Sequence, residues 1–230
     1  MHLDGVALLL SENARARAYV SQLLSASLRP AAAVVVESPE MVHAPTQRRE
    51  TPLFNNTTSV KQQLVEAGIE MHVVQAEIFN DVLVTQAVSS LKQAIVIFAA
   101  SAGSLLRQPF FRLGKTYLHV HPGRLPDYRG STPMYYSLLR EGNLTMTAFI
   151  MAEELDAGAV LMERCFPAPQ PRTDIDLFFD PYLRACVLVE LMQFYAEHRC
   201  LPETREMTAV GEIYYVIHPV LKHIALLADL

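Results

Sequence analysis

A doubly wound α/β domain with a mostly parallel sheet and a helical C-terminal tail is the fold that this sequence predicts, on three observations. Short runs such as Gly5–Leu10, Ala31–Val36 and Ala94–Phe98 are apolar throughout instead of alternating, the pattern of strands covered on both faces. Stretches with helical spacing separate them, and strands that alternate with helices imply crossovers in a parallel sheet. Finally, 51% apolar against 19% charged residues in a chain of 230 supply enough buried surface for one core and leave no case for disorder. We expect one domain over residues 1–200, with 201–230 as a tail packed on it.

Gly5–Leu10 reads as a buried strand, Ser11-Glu12-Asn13 as a capped turn, and the segment through Leu24 as the first helix. Ala31–Val36 completes a βαβ opening. Ser38–Thr58, with Pro39, Pro45, Pro52, Asn55 and Asn56, reads as a long surface loop. A helix at Ser59–Ala67, a strand at Glu70–Val74, a helix at Asp81–Leu91 and the strand Ala94–Phe98 continue the alternation. A short turn or helix at Ala102–Arg107 precedes a strand at Thr116–Val120, the turn-rich loop His121–Ser131 and a helix at Pro133–Glu141. Two β-rich runs, Thr145–Met151 and Ala159–Phe166, bracket the acidic loop Ala152–Gly158. Asp174–His198 reads as one long helix, and Pro219–Leu230 as a short amphipathic one with proline at its first position.

The charge of −5 and pI near 5.9 argue against a broad phosphate-binding face, so nucleic acid is not an expected partner. Arg15, Arg17, Arg48 and Arg49 read as scattered, solvated side chains. The cysteines Cys165, Cys186 and Cys200 show no paired spacing, which disfavours disulfides and a four-ligand zinc site; they read as reduced, mostly buried thiols. The start Met-His-Leu-Asp-Gly lacks the positive charge of a signal peptide, and the apolar stretch Ala94–Leu106 is too short to span a bilayer. A cytoplasmic protein without membrane association is expected; a homodimer is compatible with this reading.

In a doubly wound sheet, ligands bind beyond the carboxyl ends of the strands near the switch point, which is where His121–Ser131 is expected to lie. His119 and His121, two apart, are expected to point to the same side although the strand ends between them. Prolines and glycines make the loop from Pro122 to Pro133 a rigid frame, and Glu153-Glu154-Leu155-Asp156-Ala157-Gly158 supplies acids that can orient a histidine or raise its basicity. A second chemistry open to His119, His121 and Asp156 is a site of two histidines and one carboxylate for a divalent metal. His218 and His223 read as structural, Tyr135 and Tyr136 as helix packing. Arg129 serves either a ligand anion or the anchoring of its own loop.

The run His119-Val120-His121-Pro122-Gly123-Arg124-Leu125-Pro126-Asp127-Tyr128-Arg129-Gly130, followed later by Leu155-Asp156-Ala157-Gly158, resembles the signature of the folate-dependent formyltransferases. Their pattern is Asn-x-His-Pro-Ser-x-Leu-Pro-x-Tyr-Arg-Gly and then Asp-x-Gly. The resemblance extends more weakly from Gly5 to Phe166, and implies a Rossmann-like catalytic domain using 10-formyltetrahydrofolate.

By that resemblance His121 takes the place of the catalytic histidine, and Asp156 that of the aspartate that orders water and assists proton transfer. His119 stands in the asparagine slot, where an amide would donate to the developing oxyanion. Ser101, Ala102, Gly103, Ser104 and Leu105 would cradle the pterin ring, with Glu153, Glu154, Leu155 and Gly158 as the other wall. No resident metal is implied. The expected reaction is attack of a neutral amine on the formyl carbon, with donors at the oxyanion and a base for the amine proton. The acceptor is expected to be a small molecule: an amino sugar nucleotide, an amino acid or a hydroxylamine derivative. Ser11-Glu12-Asn13-Ala14 has no glycine and carries an acid unsuited to phosphate, which disfavours glycinamide ribonucleotide; the few residues beyond Phe166 and the acidic charge disfavour tRNA. Hydrolysis of the formyl donor, or folate binding without turnover, is the alternative outcome of the same site.

Overall fold

Five consecutive aliphatic side chains with no exposure, from Val6 to Leu10, can be buried only in a strand covered on both faces, and they form the centre of β1 (His2–Ser11). Each contributes roughly 1.5–3 kcal/mol of burial free energy if a Val or Leu, and Ala7 less. In the computed structural model, which describes residues 1–38, 48–101, 103–172, 174–207 and 211–227, β1 is the middle of a seven-stranded sheet.

Asn13 caps α1 (Ala14–Ser25) by accepting from the Ala16 N–H at 2.9 Å, and the chain returns through β2 (Arg29–Glu37). Ser59 and Asp81 cap α2 (Val60–Glu66) and α3 (Val82–Ser90), which flank β3 (Glu70–Gln75) in the sequence. Then follow β4 (Ile95–Ala99), the one-turn α4 (Gln108–Phe111), β5 (Thr116–His121), the short β6 (Tyr128–Gly130) and α5 (Pro133–Glu141). β7 (Asn143–Ile150), β8 (Val160–Pro167), a π-turn at Ile175–Phe179, α6 (Asp180–His198), β9 (Glu212–Tyr214) and α7 (Pro219–Leu227) complete the order.

The main sheet runs β3-β2-β1-β4-β5-β7-β8. Its first five strands are parallel, whereas β5–β7 and β7–β8 are antiparallel pairs. Side chains of α1, α2, α5 and α6 fill one face, and those of α3 and α4 the other. Among the described residues no helix is long and apolar enough to cross a membrane.

The structure departs from the expectations in several places. Of the turn or helix expected at Ala102–Arg107, a turn is present at Gly103, and the helix forms later, at Gln108–Phe111, because proline fits a first helical turn; Ala102 lies outside the described residues. The strand expected to end at Val120 runs through His121, drawn on by pairing with β7. The long helix begins only at Asp180, after the π-turn. Sequence periodicity missed the two-stranded ribbon of β6 and β9, since three-residue strands have no measurable period. Arg17 is buried and not solvated, held by Glu12 at 2.5 Å and Asn56 at 2.9 Å. Cys165 and Cys200 are exposed, contrary to expectation, while Cys186 is half-buried. Residues 39–47 of the long loop and 228–230 of the tail lie outside the described set.

Candidate active site

The switch point of the sheet falls between β1 and β4, where the chain leaves β1 in one direction and returns on its other side. Ser11 Oγ bridges it by accepting from the Ser101 N–H at 2.9 Å and meeting Ser101 Oγ at 3.0 Å. Beyond β4 lies β5, whose Leu118 and Val120 enter the core facing α1 and α6, leaving Tyr117, His119 and His121 for the other face. The histidine pair therefore sits one strand away from the switch point, where the antiparallel part of the sheet begins.

His119 is held by its ring and by one nitrogen. The ring lies 6.0 Å from the Phe98 ring and 5.9 Å from the Phe149 ring, and Nδ1 donates to the Phe98 carbonyl at 3.1 Å. His121 is set differently. It is 2% exposed, its Nε2 donates to the Tyr128 carbonyl at 2.6 Å, and its Nδ1 faces Asp156 Oδ1 at 3.6 Å. That separation is too long for a hydrogen bond.

Three consecutive residues of β6 build the setting of the pair. Tyr128 holds His121 through its carbonyl, and Gly130 N–H donates to Asp156 Oδ2 at 2.9 Å. Between them, Arg129 Nε donates to the Leu155 carbonyl at 2.9 Å, and its Nη2 meets Glu154 at 2.8 Å. Arg129 thus anchors loop to loop, one of its two expected roles. Asp156 adopts a left-handed backbone with φ +48°, sparsely populated by a non-glycine residue and sustained here by those contacts.

Burial, aided by the nearby guanidinium groups of Arg15 and Arg184, holds the His119 pKa well below its ordinary value, so the ring is neutral. Burial also pushes the His121 pKa down, while Asp156 and the Tyr128 carbonyl oppose the shift. Sequence reasoning took Arg15 for a solvated side chain and missed Arg184. Arg184 pairs with Asp180 at 2.8 Å and donates to the Val120 carbonyl at 3.1 Å. Arg15, in the first turn of α1, donates to the Ala100 carbonyl, and its buried Nε has no hydrogen-bond partner among the described residues. Burial lowers its pKa to about 10, leaving it cationic at neutral pH. Its place just after β1 was the only available signal.

The resemblance expects Ser101–Leu105 and Glu153–Gly158 to wall a pterin ring. Ser101 and Ser104 are half-buried, Gly103 and Leu105 exposed, and the Leu105 carbonyl accepts from Asn80 at 2.7 Å. On the other side Glu153 and Glu154 are exposed, Leu155 is half-buried, and Gln108 reaches Glu153 at 3.3 Å. At Gly158 a Cβ would sit 1.6 Å from the Ile150 carbonyl oxygen, so this glycine permits a close backbone crossing. His119, His121 and Asp156 do not make a metal ligand set, and among the described residues no group of His, Cys, Asp or Glu does. A cavity of about 610 Å³ lined by His2, Leu28, Arg29 and Gln63 opens at the amino ends of β1 and β2, opposite this chemistry.

A family model described as formyl transferase matches residues 6–177. A methionyl-tRNA formyltransferase from Enterococcus faecalis is 26% identical over 140 residues, 60% of this chain and 40% of that protein. The chain therefore spans less than half of that curated relative. In fold, it is similar to glycinamide ribonucleotide transformylase 1 from Symbiobacterium toebii, with TM-score 0.61 and 16% identity over 88% of this chain and 93% of that one. A sugar N-formyltransferase from Shewanella sp FDAARGOS_354 gives TM-score 0.60 and 15% identity, covering 96% and 86%.

Proposed function

The chain belongs to the formyl transferase family, and from that premise we propose that it moves a formyl group from 10-formyltetrahydrofolate to the amine of a small molecule. The observation that carries this reading is the buried contact of His121 with Asp156, framed by Tyr128, Arg129 and Gly130 of one short strand. An acid fixed beside an imidazole at the carboxyl ends of the strands is equipped to move protons during acyl transfer. His119, His121 and Asp156 form the catalytic group, within residues 1–200 as the catalytic unit and 201–230 as its tail.

The cradle fits a flat ring. A Cβ added at Gly103 would meet nothing within 4 Å, and Leu105 is 43% exposed, so this stretch offers open backbone and an apolar side chain. Ser101, Ser104, Glu153, Glu154 and Leu155 supply the polar edges there.

An amino sugar nucleotide, an amino acid or a hydroxylamine derivative is the acceptor class that suits this site. The similar fold of a sugar N-formyltransferase supports a small acceptor, as does the net charge of −5, which is unfavourable for tRNA. The acid at residue 12 is neutralised in part by buried Arg17, so it is a weaker bar to phosphate than its sequence position implies. The absence of a membrane-spanning helix among the described residues fits a cytoplasmic site of action. Incubation of the purified chain with 10-formyltetrahydrofolate and a panel of amines, read by mass spectrometry, tests the function: one acceptor gains a formyl group. Release of tetrahydrofolate with no amine formylated would instead establish a hydrolase.

A further inference from the structure

The asparagine slot of this chain holds a histidine whose hydrogen bonding reverses the chemistry of an amide. A carbonyl can only accept, so the contact from His119 Nδ1 to the Phe98 oxygen at 3.1 Å places the ring's proton on Nδ1. A neutral imidazole has one N–H, and with that proton on Nδ1 the Nε2 carries a lone pair. Nε2 has no hydrogen-bond partner among the described residues, and the side chain is half-buried, so part of it reaches solvent. His121 offers nothing equivalent, because Nε2 is bound to Tyr128, Nδ1 faces Asp156 and the ring is closed off.

We propose that His119 Nε2 is the proton acceptor of the reaction, taking the proton that an amide in this position would be unable to take. The inference rests on the formyl-transfer reading and divides labour within it. The amine's lone pair forms the new C–N bond while the carbonyl pair moves onto oxygen. The nitrogen, now positive, passes one proton to Nε2. The carbonyl re-forms as the bond to the folate nitrogen breaks, and the departing electron pair takes that proton back from Nε2. His119 ends neutral, and no further reactant is consumed.

The surroundings suit transfer and not storage. Arg15 and Arg184 oppose a positive ring, and the Phe98 carbonyl supports it, so the imidazolium forms briefly and releases its proton readily. A weak base is sufficient, because an amine nitrogen bonded to the tetrahedral carbon is far more acidic than a free ammonium ion. His121 then stays a neutral ring fixed by the Tyr128 carbonyl, with the Asp156 carboxyl group facing its Nδ1.

Two measurements test this. Long-range nitrogen–proton correlation spectra of the isotope-labelled full chain, assigned through loss of the signal in His119→Asn, are expected to show the proton on Nδ1; a proton on Nε2 overturns the proposal whatever the activity. With the acceptor found by the amine screen, His119→Ala is expected to lower kcat by about 10²–10⁴-fold with little change in the KM of the donor, and added imidazole to restore part of the loss. His119→Asn, which restores the family amide, is expected to stay as slow. Wild-type kcat in His119→Asn assigns a donor role and overturns the proposal. If the wild-type chain formylates no amine, the functional reading fails instead, and the spectra still report the tautomer.

Discussion

At the scale of single residues, one substitution separates structure from charge at the acid. Asp156→Asn keeps an oxygen that accepts from Gly130 N–H but removes the charge facing His121. We expect kcat to fall about 10²–10⁴-fold while the melting temperature stays near that of the wild type. Asp156→Ala and His121→Ala are expected to lose the same activity with the fold retained, as read by circular dichroism; wild-type turnover in any of the three would remove the pair from catalysis. His121 and Asp156 were legible in the sequence because the motif and a later Asp-x-Gly stand in a recognisable order. The tautomer of His119 was not, because it depends on a carbonyl of β4, a different strand.

At the scale of elements, the three residues of β6 carry both partners of the pair and are themselves paired with β9 of the tail. Gly130 has φ +95°, and a Cβ there would lie 2.2 Å from the Tyr214 carbonyl oxygen, so the ribbon closes only over glycine. The side chain of Arg129 is 4% exposed and it satisfies the Leu155 carbonyl. Arg129→Met leaves that carbonyl without its donor and is expected to cost about 1–3 kcal/mol in urea unfolding. The same variant is expected to show faster hydrogen exchange in residues 152–158 and a lower kcat; unchanged exchange there would show that Arg129 does not anchor the Asp156 loop. Longer elements, such as β1, α3 and β4, were readable from periodicity and caps. The ribbon was not, because its only signal is the pairing of two distant segments.

At the scale of the whole molecule, burying His119 and His121 at the sheet's carboxyl edge links stability to pH. Both have folded pKa values below the ordinary 6.5, so the unfolded chain binds protons that the folded chain does not. Their stabilising contribution is therefore complete above pH 6.5 and is lost as pH falls toward the folded values. The urea midpoint is expected to decline below that pH, and less steeply in His119→Asn; equal slopes would mean that His119 protonates freely in the folded state. Local chemistry alone determined the continuous apolar runs at the centres of β1, β2 and β4, the caps at Asn13, Ser59 and Asp81, and the motif that carries His121 and Asp156. Only tertiary structure decided the antiparallel turn of the sheet at β7, the closure of β6 by the tail, the burial of Arg17, and the approach of Arg15 and Arg184 to His119. Each of these depends on which distant segments become neighbours, and a side chain's charge and proton are set by those neighbours.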